Sequence, residues 1–311
     1  MDFMDFMDFM VAVRPHIDRL SHPPRPCPGI HWQLNMSSMS SMSSIYALLP
    51  LHRAPPMNPP LPRILLRIVL AALLLLAPHT RATEPERIVV LTFDDSVASH
   101  ATFVAPLLKK LGFGATFFIT EGFEFLEDKE HYMTWAQIRS LHDQGFEIGN
   151  HTRRHTGVGK QKPADLEADI AFIEERCAEH GIPRPTSFCY PGYQVSDTAV
   201  EILARRGYQF ARAGGMQPYL PSTDHPLRIP QIFDGKPETN LTHFKAAVSQ
   251  AGEGRILVLT FHGVPDIKHP WVNTDPEKFR SYMDHLKEQG CRVVALRDLK
   301  TLLQPNAAPA K

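Results

Sequence analysis

Short apolar runs alternate with amphipathic segments from Arg87 onward. The apolar runs are rich in β-branched and aromatic residues and are bounded by Gly or Pro, which is typical of buried strands. We predict strands at 88–93, 115–119, 146–149, 186–190, 208–211, 256–261 and 292–296. Strands that alternate with helices indicate an α/β fold with a largely parallel sheet, here of about seven units.

The helical segments have readable starts and stops. The segment 164–180 places Leu166, Ile170 and Ile173 on one face and stops at Gly181, so it predicts a helix packed on the sheet. A second helix is predicted to begin after Ser196 and to stop at Gly207. A third is predicted to begin at Thr274 or Asp275, followed by Pro276, and to stop at Gly290. The Pro-rich stretch 216–237 has no clear period and predicts a long loop.

The first 82 residues differ from the rest of the chain. They hold 12 of the 28 prolines and 8 of the 11 methionines, but only 4 of the 33 acidic residues. Repeats of Met-Asp-Phe and of Met-Ser-Ser match neither the helical nor the strand period. We interpret residues 1–56 as an untranslated or disordered extension.

A secretory signal is predicted over residues 57–82. Arg63 and Arg67 precede an apolar stretch, 68–77, and small residues stand at Thr80 and Ala82. The apolar stretch is too short for a typical membrane span, although an uncleaved anchor stays open. We expect a catalytic domain over 83–311, with its core at about 87–303, in a secreted or periplasmic protein of the cell envelope that leaves the membrane once the signal is cleaved.

Composition and charge exclude some classes of function. The chain is 43% hydrophobic and 21% charged, so it is too apolar for a disordered protein. Residues 83–311 keep 26 basic and 29 acidic groups, a balance that predicts no nucleic-acid partner. They also keep three widely spaced cysteines, which suggest neither a disulfide framework nor a thiolate zinc site. Nothing in the chain requires a protein partner.

Polar clusters follow three of the predicted strands. Asp94 and Asp95 come directly after strand 88–93. Two adjacent carboxylates repel each other unless a positive group lies between them, which a divalent cation would supply. A solvated turn or a helix cap is the alternative.

Histidines close the other two strands. His151 and His155 follow strand 146–149, and four-residue spacing puts them on one face if that turn is helical. With Asp95 they would form a two-His, one-carboxylate site that leaves positions open for water and substrate. His262 ends strand 256–261. Because the carboxyl ends of parallel strands share one edge, we expect these side chains to meet.

Four of these motifs resemble those of a known family. Thr-Phe-Asp-Asp at 92–95, His-Thr-Arg-Arg-His at 151–155, Tyr-Pro-Gly at 190–192 and Leu-Thr-Phe-His at 259–262 are similar to the ordered motifs of the polysaccharide deacetylases. This family is also called the NodB-homology or carbohydrate esterase family 4 domain. The resemblance covers about 87–303. It implies a distorted (β/α) barrel that uses one divalent metal ion, usually Zn²⁺ (with Co²⁺, Mn²⁺ or Ni²⁺ as alternatives), to hydrolyse N-acetyl or O-acetyl groups on polysaccharides.

The resemblance also implies roles for individual residues. Asp95, His151 and His155 would bind the metal. Asp94 would be the general base that takes a proton from the attacking water, and His262 would be the acid that protonates the leaving amine.

The third motif would serve the oxyanion. The turn formed by Tyr190, Pro191 and Gly192 resembles the place where the family offers a backbone N–H to the oxyanion, and Gly192 is the candidate donor.

The sequence departs from the family's pattern at two points. Many members have an Arg at the third motif that orients the base, whereas this chain has Cys189 there. Arg212, at the end of strand 208–211, is the candidate replacement. The family's Asp that orients the acid His is not visible either, and Asp234, Asp266 and Trp271 remain open as substitutes.

The leading interpretation is a secreted, metal-dependent deacetylase of an acetylated polysaccharide such as chitin, peptidoglycan or poly-N-acetylglucosamine. Aromatic side chains on predicted loops would contact the sugar, with Tyr193 and Trp271 as candidates beside Tyr219 and Phe233. One alternative is a metal-dependent amidohydrolase of a small non-peptide C–N substrate. Another is a catalytically silent carbohydrate-binding module.

Overall fold

The computed structural model describes residues 86–304. The predicted extension and signal peptide, residues 1–82, lie outside this range. Among the described residues, no helix combines the length and the apolar character that crossing a bilayer requires.

Within residues 86–304, eight parallel strands form the sheet. They are β1 (Ile88–Phe93), β2 (Thr116–Ile119), β3 (Glu147–Asn150), β4 (Ser187–Cys189), β5 (Phe210–Arg212), β6 (Phe233–Asp234), β7 (Leu257–Phe261) and β8 (Arg292–Val294). Seven of them follow the order β5-β4-β3-β2-β1-β7-β6 and curl into a half-barrel, and β8 pairs with β1. The predicted α/β class and distorted barrel are confirmed.

Strand β1 is central because both of its faces are buried, as expected of a parallel sheet. Val89 and Leu91 contact the core cluster that includes most of the helices' apolar residues. Val90 points the opposite way, into a second cluster with Val258 and Val294. On one edge β1 pairs with β7 over 89–93, and the other edge is shared between β8 and β2. The Asp-Asp motif, which directly follows β1, therefore lies at the end of a central strand of the sheet.

The helices are α1 (Ala105–Leu111), α2 (Trp135–Asp143), α3 (Pro163–Glu179), α4 (Asp197–Arg205), α5 (Leu241–Val248), α6 (Pro276–Glu288) and α7 (Leu299–Leu302). A π-helical turn, His100–Val104, leads into α1. The predicted caps are confirmed: the Ser196 hydroxyl accepts from the Ala199 N–H at the start of α4, and Asp275, rather than Thr274, caps α6.

The seven predicted strands are all present, but the prediction of a loop over 216–237 was partly wrong. This segment contains β6, which pairs with β7 at Phe233↔Leu259 and Asp234↔Thr260. Two residues are too few to show an alternating pattern, and the surrounding prolines conceal them. The rest of the segment is a loop with one 3₁₀ turn, Pro226–Arg228.

A buried carboxyl group lies at the amino-terminal end of β3. Glu147 is 2% exposed, and its Oε2 accepts hydrogen bonds from Thr116 Oγ1 at 2.7 Å and from the Arg297 N–H at 2.8 Å. Burial raises the pKa of Glu147 above its usual value, although these hydrogen bonds oppose the shift. Glu147 therefore links β2, β3 and the segment after β8. The free-energy cost of burying its carboxyl group depends on whether the group is ionised.

We expect Glu147→Gln to gain stability relative to the wild type as the pH rises. The folded carboxyl has the higher pKa, so ionisation favours the unfolded state, and the wild type loses stability as the pH rises from about 4, the ordinary pKa of a Glu, to the raised pKa of the folded protein. Glutamine cannot ionise and avoids this loss. Urea unfolding of both proteins across that range measures the difference, and a difference that does not change with pH would contradict the prediction.

Candidate active site

The carboxyl ends of β1, β3 and β7 bring the predicted residues together. The Asp94 N–H donates to the Phe261 carbonyl at 3.0 Å, which continues the pairing of β1 with β7. Beyond it, Asp95 and Ser96 have left-handed backbones, with φ of 69° and 57°. The Ser96 hydroxyl accepts from the Thr120 N–H at 2.9 Å and donates to the Thr120 carbonyl at 2.8 Å. This clamp onto the end of β2 offsets the backbone strain that turns Asp95 toward the histidines.

Asp95, His151 and His155 form a compact set of three potential metal ligands. One ligand atom from each lies within 4.8 Å of the others. The Asp95 Oδ1 atom is 3.4 Å from His151 Nε2 and 3.3 Å from His155 Nε2, and it has no hydrogen-bond partner among the described residues. His151 Nδ1 is 2.8 Å from the Cys189 carbonyl, so it donates there, and its Nε2 faces Asp95, where it would bind a metal ion once deprotonated. The donor set fits a divalent cation.

The assumption that residues 151–155 form a helical turn was wrong. Thr152 and His155 have left-handed backbones, with φ of 64° and 54°, and the segment is an irregular loop. Asn150 holds this loop: its Oδ1 accepts from the Thr152 N–H at 2.9 Å, and its Nδ2 donates to the Ile170 carbonyl at 2.9 Å. The two imidazoles converge because of this loop, not because of helical spacing.

The electrostatics of the three groups suit metal binding. Burial opposes ionisation of Asp95, but the nearby imidazoles, led by His155, hold the pKa of its carboxyl well below the usual range. Burial lowers the pKa of His155 to about 4. At neutral pH the set therefore offers one carboxylate and at least one neutral imidazole as ligands.

The neighbouring Asp94 is buried against a guanidinium group. Arg212, at the end of β5, is fully buried and donates to Asp94 Oδ2, to Cys189 Sγ and, at 2.9 Å, to Gln231 Oε1. Burial alone would raise the pKa of Asp94, yet Arg212, His151 and His262 lower it overall. Asp94 is thus held ionised, as a base requires.

Arg212 and Cys189 are directly opposite each other on adjacent strands, since they are Cα partners in the β4–β5 register. Arg212 therefore reaches Asp94 from the strand next to the one that carries Cys189. Asp94, His151 and Cys189 also form a second group of possible ligands, but Arg212 contacts both Asp94 and Cys189, which disfavours a cation there.

His262 lies on the other side of the two aspartates. Its Nε2 is 3.9 Å from Asp94 Oδ2 and 3.9 Å from Asp95 Oδ2, while its Nδ1 is 3.9 Å from Asp234 Oδ1. Asp234 is held by the Tyr193 hydroxyl, which donates to Oδ2 at 2.9 Å, and by Lys236 at 3.1 Å. His262 therefore has the two aspartates on one side of its ring and a third carboxylate on the other.

Of the three residues considered as substitutes for the Asp that orients the acid His, Asp234 is the one adjacent to His262. Asp266 instead accepts from the His269 N–H at 2.9 Å. Trp271 is 59% exposed and contacts the His269 ring.

Sequence reasoning missed a further contact of the acid candidate. His100 is fully buried, and its Nε2 lies 3.0 Å from the His262 carbonyl. The Val264 N–H donates to Ser99 Oγ at 2.8 Å. The segment after Asp95 thus also anchors the turn that carries His262, and no motif in the sequence marks this pairing.

The third motif forms a 3₁₀ turn, Pro191–Tyr193. Tyr190 is fully buried and its hydroxyl donates to the Leu227 carbonyl at 2.8 Å, and Pro191 is buried as well, so both side chains support the turn. Gly192 is exposed, with a left-handed φ of 63°. Its role as an oxyanion donor stays a prediction.

The predicted aromatic platforms need correction. Tyr219 and Phe233 are 2% and 3% exposed, so they pack the core and cannot stack on a ligand. Tyr193 is only partly buried and lines a cavity of about 680 Å³ beside Asp234. Phe123, which no sequence motif marks, is 47% exposed and lies tilted against His155 with ring centroids 4.7 Å apart.

Comparison with known proteins agrees with this geometry. The family model for polysaccharide deacetylase matches residues 81–211. The matched range includes the Asp-Asp motif, the His pair and Cys189, and it ends one residue before Arg212. The match therefore covers all three proposed metal ligands and the proposed base, while His262 lies beyond it.

Two curated relatives are similar to part of the chain. The peptidoglycan-N-acetylglucosamine deacetylase of Bacillus cereus is 29% identical over 125 residues, which cover 40% of this chain and 55% of that protein. The putative polysaccharide deacetylase YxkH of Bacillus subtilis is 25% identical over 124 residues, which cover 40% of this chain and 43% of that protein. The chain thus spans about half the length of the curated relatives it matches.

A solved structure shares the fold. The Xyl-CE4 domain of a multidomain xylanase from the hindgut metagenome of Trinervitermes trinervoides aligns with a TM-score of 0.51 at 17% identity. The alignment covers 72% of this chain and 93% of that domain. Residues 81–211, which carry the Asp-Asp motif and the His pair at the strand ends, therefore match the polysaccharide deacetylase family, and the described residues share the fold of the Xyl-CE4 domain.

Proposed function

We propose that this protein is a metal-dependent hydrolase that removes N-acetyl or O-acetyl groups from a polysaccharide. The observation that carries the proposal is one buried constellation: a two-His, one-carboxylate set beside an ionised aspartate, with a third histidine facing both aspartates. A relative's name specifies a peptidoglycan N-acetylglucosamine substrate, which supports an acetylated amino sugar here.

Asp95, His151 and His155 would hold the metal ion. The unpartnered Asp95 Oδ1 and the inward Nε2 of His151 fit a divalent cation, for which Zn²⁺ is the first candidate and Co²⁺, Mn²⁺ and Ni²⁺ are alternatives. When bound, such a cation supplies Lewis-acid polarisation of the acetyl carbonyl and lowers the pKa of water.

Asp94 would act as the general base. Its carboxylate is kept ionised by Arg212, and its Oδ1 has no hydrogen-bond partner among the described residues, so one oxygen is free to take a proton from water. Arg212 also fixes the orientation of the carboxylate, because it contacts Asp94 and Gln231 together.

His262 would act as the general acid. Its Nε2 faces the two aspartates and Asp234 lies beside Nδ1, so the ring is placed to donate a proton to the leaving amine or alcohol. Gly192 is the candidate backbone donor for the oxyanion that forms when water attacks the carbonyl.

The proposal includes the compartment. An acetylated wall or matrix polysaccharide lies outside the cytoplasm, so the predicted signal at 57–82 fits a secreted or periplasmic enzyme. No nucleic acid or protein partner enters the proposed reaction.

Acetate release from a panel of acetylated glycans tests the function. We expect release that stops on chelation, returns with zinc and falls by at least about 100-fold in Asp94→Asn, since the variant keeps the shape of the base but not its charge. The zinc content of Asp94→Asn, measured alongside, controls for loss of the metal.

The other outcomes separate the alternatives. No release from any glycan, with one bound metal per chain, would favour an amidohydrolase of a small C–N substrate. No release and no metal, with glycan binding retained, would favour a silent carbohydrate-binding module.

A further inference from the structure

The three carboxylates around His262 are too distant to hold its ring by hydrogen bonds. The Nδ1 atom has no hydrogen-bond partner within residues 86–304 and lies 3.9 Å from Asp234 Oδ1. The Nε2 atom lies 3.9 Å from an oxygen of Asp94 and 3.9 Å from one of Asp95, which is also beyond hydrogen-bond distance. The position of the imidazole therefore depends on the backbone that carries it.

That backbone is held by side chains of the segment after the Asp-Asp motif. His100 Nε2 lies 3.0 Å from the His262 carbonyl. Because a carbonyl oxygen only accepts hydrogen bonds, Nε2 carries the proton and donates it. Two residues further on, the Val264 N–H donates to Ser99 Oγ at 2.8 Å. Two adjacent side chains thus bind both ends of the turn 262–264.

The His100 ring is itself firmly placed. It is fully buried and contacts Phe93 and Phe117, with ring centroids 5.5 and 5.4 Å away. It begins the π-helical turn His100–Val104, and such turns are rare and are frequently found at functional sites. Burial lowers the pKa of His100 to about 4, so at neutral pH the ring is uncharged and keeps its single proton on Nε2.

An apolar side chain would fill this position at a lower free-energy cost. The Nδ1 atom of His100 has no hydrogen-bond partner among the described residues, and burying a polar atom without a partner is unfavourable. The neighbouring rings of Phe93 and Phe117 offer it only apolar contacts. The advantage that an imidazole has here over an apolar residue is therefore the hydrogen bond to the His262 carbonyl.

We propose that His100 is a positioning residue for the general acid: by donating to the His262 carbonyl, it holds the imidazole where it can protonate the leaving group. This inference rests on the proposed role of His262. Proton transfer requires hydrogen-bond distance between donor and acceptor, so a small backbone shift at His262 would slow it. Because His100 and Asp95 belong to one short segment, 94–100, the acid also keeps a fixed position relative to the metal ligand.

The test compares two leaving groups. The amine of an N-acetylated sugar needs a proton to leave, whereas 4-nitrophenolate leaves without one. For His100→Phe, which keeps an aromatic ring but no donor, we expect kcat on a pentamer of β-linked N-acetylglucosamine to fall by about tenfold or more, with KM near the wild-type value. The rate on 4-nitrophenyl acetate should stay within about twofold. His100→Gln, whose amide can donate to the same carbonyl, should keep most of the pentamer rate.

Two further variants separate positioning from stability. His285→Phe is the matched control, because His285 is a buried imidazole that packs against Phe244 on α6, and both of its rates should stay near those of the wild type. In a His262→Asn background, His100→Phe should cause no further loss on the pentamer, since the two residues act as one unit. Equal losses on both substrates, or a full additional loss in that background, would overturn the proposal.

Nuclear magnetic resonance makes the test independent of turnover. Relaxation of the His262 ring carbons should show an ordered imidazole in the wild type and in His100→Gln, and a more mobile one in His100→Phe. A His262 ring that is equally ordered in all three proteins would overturn the proposal. A wild type that shows this dependence on His100 but releases no acetate from any glycan would refute the proposed function and not the positioning of His262.

Discussion

Replacing Arg212 with methionine should lower kcat for acetate release by about 100-fold or more. Methionine keeps much of the volume but removes the guanidinium that contacts Asp94, Gln231 and Cys189. The Asp94 carboxylate would then be buried without its main cation, so its pKa would rise and the base would be protonated. The zinc content should stay unchanged, because Arg212 is not a ligand.

A swap of two residues sharpens this test. Cys189 and Arg212 are Cα partners on adjacent strands, so Cys189→Arg combined with Arg212→Cys places the guanidinium on β4, where many family members carry it. We expect the double variant to recover part of the activity that Arg212→Cys alone loses. Arg212→Lys should have less activity than the double variant, because one ammonium group cannot contact three partners as the planar guanidinium group does.

Thermal unfolding of each variant separates catalysis from stability, since breaking a buried ion pair also destabilises a protein. Turnover that stays at the wild-type level in a folded Arg212→Met protein would exclude Arg212 from orienting the base.

The sheet was predictable because most of its strands are buried on both faces. Strand β1 is a nearly continuous apolar run, and Gly or Pro marks the ends of most other strands. The sequence pattern therefore predicted seven of the eight strands found in the described residues. Strand β6 could not be found this way, since its two residues, Phe233–Asp234, carry no periodicity. The structure defines it through pairing with β7, a contact between segments distant in sequence.

The proximity of Asp95, His151 and His155 could be predicted, because each of them follows a strand of the same parallel sheet. The local backbone conformation that brings the two histidines together could not. Helical spacing predicts that the two histidines share a face, but the loop has left-handed residues at Thr152 and His155. Such conformations are set by tertiary contacts, here the buried Asn150, and leave little trace in the local sequence.

The partner of His262 shows a similar limit. Asp234 and Asp266 looked equivalent in the sequence because both lie in predicted loops. The register of β6 on β7 pairs Asp234 with Thr260, two residues before His262, whereas Asp266 turns to His269. The exposure of aromatic side chains could not be predicted from the sequence either: Tyr219 and Phe233 are buried, and Phe123 is exposed.

The second large effect concerns the metal ion. We expect the wild type to bind one zinc ion per chain and His155→Gln to bind it at least about 100-fold more weakly, since one of three ligands is lost. Zinc at about 100 times its Kd should stabilise the wild type by about 2.7 kcal/mol, and the gain in the variant at the same zinc concentration should be about 0.4 kcal/mol or less. Zinc titration followed by calorimetry and thermal unfolding measures both effects.

Two variants show which group of ligands holds the ion. His155 belongs only to the group with Asp95, and Cys189 belongs only to the group with Asp94, while His151 is common to both. Cys189→Ala should therefore leave zinc binding near the wild-type level, and His142→Ala, on α2, controls for loss of a distant imidazole. Zinc binding that survives His155→Gln but fails in Cys189→Ala would place the ion beside Asp94. Asp94 would then be a ligand and could not be the base, because the same carboxylate cannot hold a cation and accept the proton of the attacking water.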